Sequence, residues 1–82
     1  MQRTTRRTKK TVPVSMRGLM QRINRKLQPE GEQMKRSVGA RARAELGGFW
    51  IVGESGLVLE NVDPVSFARK LGVLRPWERV IQ

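Results

Sequence analysis

Positive charge is crowded into one half of this chain, and that limits what the half can fold into. Residues 1–44 hold 13 lysines and arginines against two acids, Glu30 and Glu32, whereas residues 45–82 hold four bases against five acids. Local pairing cannot neutralise the first half, so its cations must stand in solvent or against a polyanion. Only a segment with its own apolar stripe can join a core there. The second half is close to neutral and has the make-up of an ordinary small fold. Asymmetry of this kind is the footprint of a surface for nucleic acid. The competing readings are a basic tail that aids solubility, a surface for an acidic protein, and one for anionic lipid.

Residues 1–13, MQRTTRRTKKTVP, have no apolar periodicity, and Arg3, Arg6, Arg7, Lys9 and Lys10 repel one another. The expectation is a disordered basic arm that orders only on a phosphate backbone. Its arginines are not set between glycine and proline, so it is no AT-hook. From Ser15 the pattern changes. Met16, Leu19, Met20, Ile23 and Leu27 recur at helical spacing and share one stripe, which reads as core more readily than as a lipid-binding face. Arg17, Arg22, Arg25 and Lys26 fall on the opposite face, left for a partner. Ser15 is the expected N-cap, and Pro29 with Gly31 closes the helix. The first 29 residues contain no acid and are amphipathic, as in a mitochondrial presequence. Their removal would leave too small a core to fold comfortably.

Residues 30–47 are ambiguous. Met34, Arg36 and Val38 alternate with Lys35 and Ser37, which allows a short strand near residue 34. Gly39–Glu45, with Arg41 and Arg43, reads as a mobile basic loop in preference to a second helix. Beyond it, Phe49-Trp50-Ile51-Val52 and Leu57-Val58-Leu59 are strand-forming runs joined by Gly53-Glu54-Ser55-Gly56, a hairpin over residues 49–62. A three-residue loop would pair Ile51 with Leu59 and Val52 with Val58. Both faces of this ribbon are partly apolar, so helices are expected to cover them, with Leu59 packed between hairpin and helix. Asp63-Pro64 opens a C-terminal helix with Phe67, Ala68 and Leu71 inward and Gly72 just past its end. Residues 74–81 read as a last turn or short helix.

Eighty-two residues make a single domain, here 14–82 after the arm. The chain has no cysteine and no histidine. That excludes disulfides and thiolate zinc sites, and agrees with a reducing, cytoplasmic setting. Acid–base chemistry would fall to seven carboxylates or to lysine, and none is paired in a way that suggests catalysis or a metal. The glycines form neither a phosphate-binding loop nor a dinucleotide fingerprint. No enzyme and no cofactor are expected. No apolar run is long enough to cross a membrane or serve as a secretory signal.

Ser66–Val73 imitates the opening of a helix-turn-helix, but the segment that should read DNA begins with Pro76 and puts Glu78 where an apolar anchor belongs. A plain helix C-cap explains the same residues. Trp50 and Trp77 read first as core; on the outer face of the ribbon, Trp50 could instead stack a base or anchor a protein partner.

The runs Gly47–Val52 and Leu71–Glu78 resemble small uncharacterised proteins of proteobacterial plasmids and integrated mobile elements. The resemblance covers about half the chain and implies a bacterial, mobile-element setting, with no activity or binding residues to carry over. The expectation is therefore an α+β domain: a basic amphipathic helix, a small antiparallel sheet and a C-terminal helix. With the strand near residue 34 the order is α-β-β-β-α, as in double-stranded-RNA-binding domains. Its expected role is contact with nucleic-acid phosphates, DNA favoured over RNA, through Arg3, Arg6, Arg7, Lys9, Lys10, Arg17, Arg22, Arg25, Lys26, Lys35, Arg36, Arg41 and Arg43. The alternative is an interaction module or inhibitor docking on an acidic protein.

Overall fold

A computed structural model describes residues 11–81. They form an α+β fold in the order β1 (Val12–Ser15), α1 (Met16–Leu27), β2 (Gln33–Arg36), α2 (Ala40–Leu46), β3 (Phe49–Gly53), β4 (Gly56–Leu59), α3 (Pro64–Leu71) and β5 (Glu78–Ile81). β2, β3 and β4 make an antiparallel sheet in that order, and β1 pairs with β5 in parallel. The α-β-β-β-α order is present as α1-β2-β3-β4-α3, interrupted by α2 and bracketed by β1 and β5.

α1 organises the core. The Ser15 hydroxyl accepts from the Gly18 amide at 3.0 Å and caps the helix. Leu19 and Ile23 are wholly buried and Leu27 nearly so, with Met16 and Met20 packed at the margin. A buried Leu or Ile contributes about 1.5–3 kcal/mol relative to exposure. A 3₁₀ turn at Gln28–Glu30 and Gly31, at φ 73°, end the helix where Pro29 and Gly31 predict. The stripe packs with Val14, Met34, Ile51, Ala68 and Leu74. Asn24, also on α1, grips the backbone of β2: its Oδ1 accepts from the Met34 amide at 2.6 Å and its Nδ2 donates to the Met34 carbonyl at 3.3 Å.

α3 is capped as expected. Asp63 accepts from the Val65 amide at 3.3 Å and from the Ser66 hydroxyl at 2.7 Å. Gly72, at φ 78°, closes it in the left-handed conformation with Val73 donating back to the Ala68 carbonyl.

Five expectations need correction. Val12 and Pro13, assigned to the arm, belong to β1, whose Val12 amide donates to the Trp77 carbonyl at 2.8 Å; residues 1–10 of the arm lie outside the described residues. Residues 74–81 begin with the expected turn but continue as a strand, not a short helix. The Arg75 amide donates to the Glu78 carboxylate at 2.8 Å to set a turn, and the β-branched pair Val80-Ile81 continues as β5. With a strand there, no reading helix follows α3 and the helix-turn-helix interpretation falls. Residues 40–46 are a helix instead of a loop. Alanine and arginine, which alternate there, both have high helix propensity. None of the helix's residues is buried, so it forms without an apolar stripe of its own. Gly47 permits its exit: at φ 82°, a Cβ there would stand 2.7 Å from the Asn61 Cα.

The hairpin turns more tightly than expected. Ile51 faces Leu59 as predicted, but Val52 faces Leu57 and Gly53 faces Gly56, with a bulge that leaves Val58 as the extra residue. Finally, helices do not cover both faces of the ribbon. Leu57, Val58 and Leu59 remain 52%, 46% and 47% exposed, so Leu59 is not a core residue.

Candidate nucleic-acid interface

Of the thirteen predicted contact residues, Arg3, Arg6, Arg7, Lys9 and Lys10 lie outside the described residues. Arg17, Arg25 and Lys26 are exposed on α1, as their helical positions require. Arg22 is not free. Its guanidinium makes a two-pronged bond to the Glu78 carboxylate, at 2.8 and 3.0 Å, and donates to the Val73 carbonyl at 3.1 Å. The hydrogen bond from Arg22, aided by the Arg75 amide, holds the Glu78 carboxyl below the ordinary glutamate range, and the same bond raises the Arg22 pKa. Arg22 therefore ties α1 to β5 and leaves the predicted interface. Sequence offered no signal for this, because its partner is 56 positions away.

Of the remaining four cations, Arg36 and Arg43 line a common cleft at the end of the three-stranded sheet, and Lys35 lies on the opposite sheet face. Lys35 and Arg36 are exposed at the end of β2, and Arg41 and Arg43 are exposed on α2. Arg41 stands 3.7 Å from Glu45 one turn on, both well exposed, a pair of small energetic weight. Arg36 lies opposite Phe49 in the sheet, with its guanidinium 5.9 Å from the ring centroid. Lys35 faces Trp50 on the other side of the same sheet.

Trp50 is half-buried and fixed by its indole N–H, which donates to the Ser37 hydroxyl at 3.1 Å; that hydroxyl donates in turn to the Gly47 carbonyl. Ser37 is the buried polar link between α2 and the sheet. Trp50 thus sits on the face turned away from Met34 and Ile51, the face from which a ring could stack a base. Trp77, expected in the core, is 54% exposed beside Arg75, whose guanidinium is 6.0 Å from its ring. Sequence reasoning missed Phe49 as part of the site: only the antiparallel register brings it to Arg36. Among the described residues no group of three or more acidic side chains could hold a metal ion, and no helix is long and apolar enough to cross a membrane.

Searches against protein-family models, curated proteins and solved structures found no match to this chain.

Proposed function

We propose that this protein binds nucleic acid, DNA in preference to RNA, chiefly through phosphate contacts, as a small non-enzymatic accessory or regulatory protein. A bacterial, mobile-element and cytoplasmic setting belongs to the same proposal. The carrying observation is the run from Lys35 to Arg43, in which four exposed cations on β2 and α2 are uninterrupted by any acid. Arg36 and Arg43 share one surface at the end of the sheet, while Lys35 is exposed on its other face, so a phosphate backbone can be met from both sides. Arg17, Arg25 and Lys26 add a second exposed group, and residues 1–10 add five further cations.

The test is a salt series on duplex DNA, single strands and double-stranded RNA. Log K should fall linearly with log salt, and changing Lys35, Arg36 and Arg43 to Gln should flatten the duplex slope by about 0.9 for each phosphate no longer neutralised. Deleting residues 1–10 should flatten it further without touching β1. Absence of binding to all three ligands at low salt would move the reading to its rival, a protein-docking module. That rival draws on the exposed apolar row of β4, since such a row is a common anchor for a partner chain.

A further inference from the structure

Between the end of the three-stranded sheet and the start of α1 lies a cleft of about 520 Å³, within the roughly 300–1,000 Å³ of small-ligand sites. Met16, Phe49 and Ile81 line it with apolar surface, Arg36 and Arg43 with charge, and Ser15 and Gly48 complete the lining. No carboxylate lines it, and neither arginine has an ionic partner among the described residues. Apolar walls, one aromatic ring with the Arg36 guanidinium over one side of it, and two guanidinium groups without a carboxylate partner match a flat body carrying an anion.

We infer that this cleft takes one unstacked nucleotide of a single strand, its base against Phe49 and its phosphate on Arg36 and Arg43. The inference rests on the nucleic-acid reading above and deepens it. Base stacking on an aromatic ring is tolerant of sequence, so the cleft adds affinity for single strands without reading bases. A base within a duplex cannot reach the ring unless it leaves its stack, which costs free energy. The site therefore prefers single strands, ends and gaps over closed duplex.

The experiment measures fluorescence anisotropy of a short oligothymidylate and of an abasic sugar-phosphate oligomer of the same length and charge. The native protein should bind the base-bearing strand about tenfold more tightly. Gly48→Leu fills the cleft while keeping every charge, and an added Cβ there meets nothing within 4 Å. Phe49→Leu keeps apolar volume and removes the ring. Both variants should bind the two strands equally, with affinity for the abasic strand unchanged. Equal binding of both strands by the native protein overturns the cleft assignment and leaves the phosphate reading intact. A base preference that survives both variants also overturns it, placing the base elsewhere, such as at Trp50 or Trp77. No binding of either strand also overturns the cleft assignment, and the functional reading is then decided by the duplex arm of the salt series.

Discussion

β2 and β4 flank the same central strand, yet β2 buries one residue in the core and β4 buries none. Met34 of β2 is 1% exposed beneath α1, and Asn24 occupies the outer edge of its backbone. All four residues of β4 are exposed, although three of them are Leu or Val. Leu59 even shares a face with Ile51, its cross-strand partner, which is buried. The difference is one of coverage. α1 packs on β2 and on α3, and a single short helix cannot also roof the far strand. Apolar character makes burial favourable but does not supply a neighbour. The bulge at Val58 and the shortness of β4 limit its use as a template for sheet extension.

Three experiments bear on this contrast. The largest effect is expected at the buried residue of β2: Met34→Ala should cost about 2–5 kcal/mol in chemical denaturation, enough to unfold a domain this small. A loss as small as that of a surface control would show that β2 is no better covered than β4. A smaller effect is expected at the tie that seats α1. Because the Glu78 pKa is lowered in the fold by Arg22, its contribution is complete above the ordinary glutamate range and disappears as pH falls through the folded value. Glu78→Gln should lower the melting temperature at neutral pH and weaken its decline on acidification. An unchanged acid limb would show that the pair does not tie α1 to β5. The smallest effect is expected at β4, where Leu59→Ala should cost less than about 1 kcal/mol. A loss equal to that of Met34→Ala would mean that something covers β4 in solution.

Much of the local structure is legible in the sequence. The stripe from Met16 to Leu27, the Ser15 and Asp63 caps, the Gly72 stop and the hairpin all express interactions within a few residues of each other. The strand near residue 34 is legible as alternation. α2 is not, because its arginines suggest mutual repulsion, whereas alanine propensity and outward spacing let them coexist on a helix. Part of the interface is legible too, since exposed cations are visible as composition. The loss of Arg22 from it, and the entry of Phe49, are not.

The sequence by itself determined α1, α3, the strand near residue 34 and the hairpin, which helical face was apolar, and that the first half must present a large positive charge. Those properties follow from backbone preference, side-chain period and formal charge, all local to the chain. Only the tertiary structure decided that β1 and β5 pair from opposite ends of the fold, that Glu78 neutralises Arg22, that Leu59 stays uncovered, and that Arg36, Arg43 and Phe49 share a cleft with Met16 and Ile81. Each of these depends on groups far apart in sequence, and such contacts follow from how elements of finite size pack, which no local pattern encodes.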